Sequence, residues 1–304
     1  MNIKKTLTVF TPTYNRAYCL HQLYESLCRQ TSDDFEWLII DDGSTDNTCE
    51  LVESWKKENL LVIKYYYKEN GGMHTGHNKA YELITTELNV CIDSDDYMPD
   101  DSVAKIINLW LLYGDDQYAG IIGLDCTISG KIIGTSFPDD LKECKYSDLY
   151  TKYGVMGDKK IIYRTDVVKK YPAYPTFSNE KFVPLYLPIV VDKDYNLLNF
   201  NEIFCIVDYQ EDGSTLNIYN QYFKNPNGFK YSRKIEMEYY TIKKNKFKSA
   251  IHFISSKFIL KEYDFLSESP SKVYTFVAIP FGFIWYRILL NKRYEKRDIK
   301  KYVE

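Results

Sequence analysis

Leu88-Asn89-Val90-Cys91-Ile92-Asp93-Ser94-Asp95-Asp96 is the stretch on which the fold turns. A short apolar run of strand length ends abruptly in carboxylates. Such a run, bounded by polar residues, reads as a buried strand. Asp93, Asp95 and Asp96 beside that strand repel one another and are costly to leave unpaired. A divalent cation removes the repulsion. Mg2+ or Mn2+ accepts one or two carboxylates together with phosphate oxygens and water. The plainer reading is an acidic helix start before Pro99-Asp100-Asp101, favoured by the helix dipole.

The preceding residues repeat the same design. Leu7 to Phe10 reads as a strand and runs into Thr11-Pro12-Thr13-Tyr14-Asn15-Arg16. Phe35 to Ile40 reads as a second and runs into Asp41-Asp42-Gly43-Ser44-Thr45-Asp46. Leu60 to Tyr67 is a third. Helical stripes lie between them: Leu20, Leu23, Tyr24 and Leu27, then Leu51, Val52 and Trp55, then Ala80, Leu83 and Ile84. Strand-helix alternation predicts an α/β fold, a Rossmann-like, mostly parallel sheet flanked by helices. Ligands of such sheets sit outside the carboxyl ends of the strands. The polar motifs follow the first, second and fourth strands. At the first, Thr11 offers a hydrogen bond to the edge of a flat ligand and Tyr14 a stacking face. At the second, a carboxylate accepts a base N–H, and Gly43 permits the sharp turn. Helix caps account for Asn15, Ser44 and Asp46 equally well.

Farther on, Ser102 to Tyr113 reads as a helix. Tyr118 to Asp125 and Lys131 to Thr135 read as a hairpin about Ser129-Gly130. Lys160 to Tyr163 and Leu197 to Asp208 add strands. From Leu216 the pattern is helical, basic and aromatic, with no further strand.

Taken together, these motifs resemble family 2 glycosyltransferases with the GT-A fold. The resemblance rests on strand-Thr-x-Thr-Tyr-Asn-Arg, strand-Asp-Asp-Gly-Ser-x-Asp, Asn-x-Gly before a helix, and strand-Asp-x-Asp-Asp, in that order. It is close over roughly residues 5–125 and looser to about 215. It implies an inverting transferase that moves a hexosyl or N-acetylhexosaminyl group from a nucleotide sugar, a UDP-sugar first, to a hydroxyl. Thr11, Pro12, Tyr14 and Asp42 would hold the nucleobase, Asp42 accepting from a uracil-type N3–H. Arg16, Asn70, Gly72 and Ser94 complete the donor motifs. Asp93 would contact the ribose or help place the metal. Asp95 would bind Mn2+ or Mg2+, with Asp96 a second ligand or an orienting residue. The segment from Asn70 to Ala80 departs from the usual pattern, with Gly76 for Ala, His77 for Arg and Ala80 for Gly. His77 is then the basic side chain nearest the diphosphate, with His74 or Lys79 sharing the task. The resemblance places the catalytic base well after Asp-x-Asp, where Glu180 in Asn179-Glu180-Lys181-Phe182 fits. Glu211-Asp212 is the rival, and Gly213 and Ser214 beside it could form a lid.

The expected domains are a GT-A domain over 1–215, with a nucleotide-sugar half 1–125 and an acceptor half 126–215, and a helical extension over 216–304. Charge divides similarly. Residues 1–212 carry 21 Lys/Arg against 34 Asp/Glu, and residues 213–304 carry 18 against 8. The total of −3 excludes nucleic-acid binding driven by overall positive charge. The apolar run 273–290 contains Pro280, Gly282 and Arg287, and a basic cluster follows it. Aromatics beside basic residues suit a segment lying on an anionic leaflet. This predicts peripheral attachment to the inner face of the membrane and a lipid-linked or free saccharide acceptor in surface polysaccharide assembly. Seven loosely spaced Cys and an N-terminal apolar run too short for a signal core predict reduced thiols in a cytoplasmic compartment. A nucleotidyltransferase is the nearest competing enzyme, but Thr11 to Arg16 lacks the glycine its phosphate loop needs. A non-catalytic membrane or nucleic-acid binder leaves the acidic motifs unused.

Overall fold

The computed structural model describes residues 5–210, 213 and 216–297. The strands are β1 (Leu7–Thr13), β2 (Phe35–Asp41), β3 (Ile63–Tyr67), β4 (Leu88–Cys91), β5 (Tyr118–Thr127), β6 (Glu143–Cys144), β7 (Lys159–Arg164) and β8 (Asn196–Val207). They form one sheet in the order β3-β2-β1-β4-β7-β5-β8-β6. The first four strands are parallel neighbours. β7 runs antiparallel to both β4 and β5, while β8 is parallel to β5. The helices of the sheet region are α1 (Leu20–Cys28), α2 (Thr48–Glu58), α3 (Met73–Leu83), α4 (Ser102–Tyr113), α5 (Tyr146–Thr151) and α6 (Thr165–Val168).

Alternation along the strands sorts the core. Leu7 and Val9 of β1, with Trp37 and Ile39 of β2, face α1, α2 and α4. Phe10, Leu38 and Ile40 face the other way, onto Ala80 and Ile84 at α3. Tyr24 stacks on Trp55 at 4.3 Å, and Trp37 lies against both. Burial of each such ring is worth about 2–3 kcal/mol. Gly76 is the device that lets α3 settle on β1, because an added Cβ would stand 3.0 Å from Pro12 Cβ. This explains Gly at a position where the resembling motif carries Ala.

The Lys131 to Thr135 strand does not form. The turn about Gly130 is present, but pairing stops at one bridge between Cys126 and Ile132. Gly134, with φ of 77°, then bends the chain against the Met156 carbonyl.

The chain divides into two compact units. One comprises the sheet region up to Pro172 together with Asp194–Gln210. The other joins Ala173–Lys193 to the helices from Ile218 onward. It contains α7 (Leu187–Val191), α8 (Ile218–Lys224), α9 (Pro226–Tyr239), α10 (Lys243–Leu260) and α11 (Lys272–Lys292). Its cores are Met237, Phe253, Ile254 and Ala278, and Tyr222, Phe229 and Leu289. Ala173–Lys193, expected within the sheet domain, folds instead with the C-terminal helices.

Candidate active site

The polar motifs meet at the carboxyl ends of β1, β2 and β4. Asn15, with φ of 53°, ties the first two together. Its Oδ1 accepts from Thr45 N at 2.7 Å and its N–H donates to Ser44 Oγ at 2.9 Å. Asn15 is a clamp between loops rather than a helix cap.

The acidic pair at the end of β2 splits its duties. Asp41 is fully buried and accepts from Ser44 N at 2.7 Å and Tyr65 Oη at 2.5 Å. Asp42 accepts from Gly71 N at 2.9 Å, Gly72 N at 2.6 Å and the Lys68 ammonium. The two carboxylates thus answer different donors, which offsets their mutual repulsion. Asp42 draws the Asn70-Gly71-Gly72 loop onto the end of β2. Gly43, with φ of 88°, permits the contact, since a Cβ there would meet Asn70 N at 2.8 Å.

Thr11 requires a correction. It points with Leu7 and Val9 into the core, where its Oγ1 accepts from Trp37 Nε1 at 3.0 Å. It is fully buried, so its hydroxyl does not reach a ligand. Pro12 is half-buried and Tyr14 is exposed at the same strand end. Arg16 lies over the Tyr18 ring and hydrogen-bonds its hydroxyl.

Beyond β4 the carboxylates also divide. Asp93 is exposed and Asp95 half-buried. Ser94 is buried, and its carbonyl accepts from Cys19 Sγ at 3.5 Å. Asp96 turns away into the protein. Its Oδ1 accepts from Asp208 N at 3.2 Å and its Oδ2 from Cys205 Sγ at 3.6 Å. The neighbouring Tyr97 pairs with Ile206 of β8 in both directions. Asp96 is therefore the pin that holds the acidic loop to β8, which corrects its expected place as a metal ligand. Burial pushes its carboxyl well above the usual range. Among the described residues no three His, Cys, Asp or Glu side chains gather as a ready metal cage. The donor set of Asp93 and Asp95 fits a Mg2+ or Mn2+ ion completed by diphosphate oxygens and water.

Two groups near this loop were not singled out in the sequence. Asp125, at the end of β5, is pushed up to about 6 by burial. Burial disfavours the charge on Lys160, but the carboxyl groups of Asp125, Asp96 and Asp93 outweigh it and hold the ammonium well above its usual range. Lys68 was missed too, although a cation one residue past β3 falls at the same strand-end level as the motifs.

His77 is not the cation expected near a diphosphate. It is buried edge-on to Phe10 at 5.2 Å, with Nε2 3.8 Å from Cys91 Sγ. Burial pushes its imidazole down to about 4. His74 is buried as well, and Lys79 pairs with Glu82 and lies over Tyr66. The lowered value has a linked consequence. The folded state binds the His77 proton less well than the unfolded chain does. This contribution is complete above about pH 6.5 and is lost as pH falls toward 4. A His77→Phe variant should flatten the acid limb of the stability curve by about 3 kcal/mol. Urea melts between pH 4 and 7 read this directly, and an unchanged slope would remove His77 from the account.

Glu180 lies in the helical unit. Its carboxylate is buried and accepts from Asn227 N at 3.0 Å, Asn227 Nδ2 at 2.8 Å and Gly228 N at 2.8 Å. These backbone donors belong to the first turn of α9, where N–H groups lack intrahelical partners. Glu180 is a cap whose two oxygens are both engaged, which corrects its expected place as the base. Glu180→Ala should lower stability by about 2 kcal/mol or more. A thermal melt measured alongside turnover separates the roles. Lost turnover with an unshifted melt would restore the base assignment. Glu211, Asp212 and Ser214 lie outside the described residues.

Comparison with known proteins matches this geometry. The model of glycosyl transferase family 2 matches residues 8–170, more than half of the chain. Poly(ribitol-phosphate) beta-N-acetylglucosaminyltransferase TarP of Staphylococcus aureus is 26% identical over 236 residues, 72% of this chain and 69% of that protein. Putative teichuronic acid biosynthesis glycosyltransferase TuaG of Bacillus subtilis is 31% identical over 104 residues, 34% of this chain and 41% of that protein. Among solved structures, S. aureus TarS 1-349 in complex with UDP-GlcNAc superposes with a TM-score of 0.58 at 17% identity, covering 94% of this chain and 91% of that one. Mannosyltransferase PcManGT from Pyrobaculum calidifontis, in complex with GDP-Man and Mn2+, gives 0.54 at 16% identity, covering 96% and 84%. With its three strand-end motifs on a GT-A sheet, the chain belongs to glycosyl transferase family 2 and is a glycosyltransferase.

Proposed function

We propose that this glycosyltransferase moves a sugar, an N-acetylhexosaminyl group first, from a UDP-sugar to a hydroxyl of a saccharide or polyol chain in surface polysaccharide assembly. The observation that carries the reading is the grouping of Asp42, the Asn70-Gly71-Gly72 loop, Asp93 and Asp95 at one end of the sheet. The names of TarP and TuaG, and the UDP-GlcNAc bound to TarS, support donor and acceptor class. The Mn2+ bound to PcManGT supports a metal.

In this reading the protein's part is placement. Asp42 holds the loop against the strand end, so that Pro12 and Tyr14 frame a flat base. Asp93 and Asp95 would hold a divalent ion. When bound, that ion supplies Lewis-acid neutralisation of the diphosphate leaving group. Asp96 keeps the acidic loop at a fixed height by its hold on β8. Single inverting displacement needs a carboxylate at the acceptor hydroxyl. With Glu180 engaged as a cap, Glu211 and Asp212 are the carboxylates the sequence offers for that step.

The test is nucleotide release. Purified protein with Mn2+ should release UDP from one member of a panel of UDP-sugars when a polyol or saccharide acceptor is added. Release from GDP-sugars alone would overturn the donor assignment, and full activity in excess chelator would overturn the metal.

A further inference from the structure

α11 buries one face and leaves the other bare. Thr275, Ala278, Gly282 and Leu289 are buried. At Gly282 an added Cβ would stand 2.3 Å from Ile254 Cγ2, so α10 presses directly on the small residues of α11. On the opposite side Val273, Phe276, Val277, Phe281, Ile284 and Ile288 are exposed. Their spacing of three, four and seven makes a single stripe along the helix. Over its 21 residues the helix is roughly 30 Å long. Eighteen consecutive residues of it have a mean hydropathy of 1.6, apolar enough to cross a membrane, yet only 22% of them are buried. A bare apolar stripe of this length exceeds the scattered exposure normal for a soluble surface. The proposed transfer reaction makes no use of it.

We propose that the stripe lies in the plane of an anionic lipid bilayer, with the apolar side chains in the acyl boundary. Charge chooses this occupant. Arg287 is exposed on the stripe, and Lys292, Arg293, Lys296 and Arg297 follow it. The segment 213–304 carries 18 Lys/Arg against 8 Asp/Glu. A second copy of the chain would bring the same excess of positive charge against itself. An anionic leaflet attracts each such residue near its surface. Packing sets the orientation. Because α10 lies on the small-residue face, a spanning α11 would draw the exposed Lys243, Lys244 and Lys248 of α10 toward the hydrocarbon. An in-plane helix leaves them in water.

The experiment is co-sedimentation of the full chain with vesicles of phosphatidylcholine alone or mixed with phosphatidylglycerol. Binding to the mixed vesicles should be about ten-fold or more tighter, and should weaken as salt rises. Phe281→Glu with Ile284→Glu should reduce binding about ten-fold or more at an unchanged melting temperature. Val273→Ser with Phe276→Ser serves as the milder pair if the first does not fold. Equal binding to both vesicles, or variants that bind like the parent, would overturn the proposal. So would a stable dimer that either pair converts to monomer while the parent ignores vesicles.

Discussion

Asp95→Ala is expected to lower sugar transfer by about two to four orders of magnitude while the fold survives. Lewis-acid stabilisation of a leaving diphosphate is worth several kcal/mol, and each 1.36 kcal/mol is about ten-fold in rate. Asp95 is half-buried at the mouth of the strand ends, beside the exposed Asp93. Truncation there would remove a proposed metal ligand without opening the core, so the melt should move little. Asp96→Ala is the informative contrast. That change cuts the bonds to Asp208 N and Cys205 Sγ and leaves two donors stranded beside β8. It should cost stability first, with turnover falling as the acidic loop loses its anchor. UDP release at saturating Mn2+, measured with thermal melts of both variants, separates ligand from pin. An Asp95→Ala enzyme with full turnover would sink the metal assignment.

Asp42→Ala should be the most damaging single change to the sheet unit. It leaves the Lys68 ammonium and the N–H groups of Gly71 and Gly72 facing a void. Removing one partner of a buried ion pair costs about 3–5 kcal/mol. For a protein of this size that is roughly 10 °C in Tm. Lys68 keeps two other acceptors, the Glu69 carbonyl at 2.6 Å and Thr75 Oγ1 at 2.9 Å, so the loss should fall at the lower end. Asp42→Ala combined with Lys68→Met removes both charges and should recover part of the melt. Donor binding should not recover, because the Asn70-Gly71-Gly72 loop loses its tether in both variants. Calorimetry with UDP reads that half of the prediction. Nucleotide affinity equal to that of the parent would show that the loop holds its shape without Asp42.

Much of this was legible in the sequence because period-two alternation and strand-end chemistry act locally. β1, β2, β4 and α4 fall where the pattern puts them. The strand-end motifs could be read because each follows its strand directly. Long-range partners could not be read. Thr11 reads as a ligand contact, but Trp37, 26 residues on, donates to it. Asp96 reads as a metal ligand, but Cys205 and Asp208, more than a hundred residues away, claim it. Glu180 lies in irregular chain rather than in a helix of its own, and the helix it caps begins at Pro226. His77 kept its basic identity in the sequence and lost its charge to burial. In each case the residue type was right and the partner lay beyond any local pattern.

The grouping of Ala173–Lys193 with the later helices sets an order of events at the ribosome. When residues 173–193 emerge, the groups that satisfy Glu180 and cover Phe182 do not yet exist. They arrive with Asn227, Gly228 and Phe229, more than thirty residues later. At about 5–20 residues per second, that segment waits seconds with its apolar side chains uncovered. The sheet can close first, because Asp194–Gln210 supplies β8 before any of the C-terminal helices are made. A chain in which β8 has left the ribosome while Asn227 has not would therefore carry a closed sheet and an uncovered segment at 173–193.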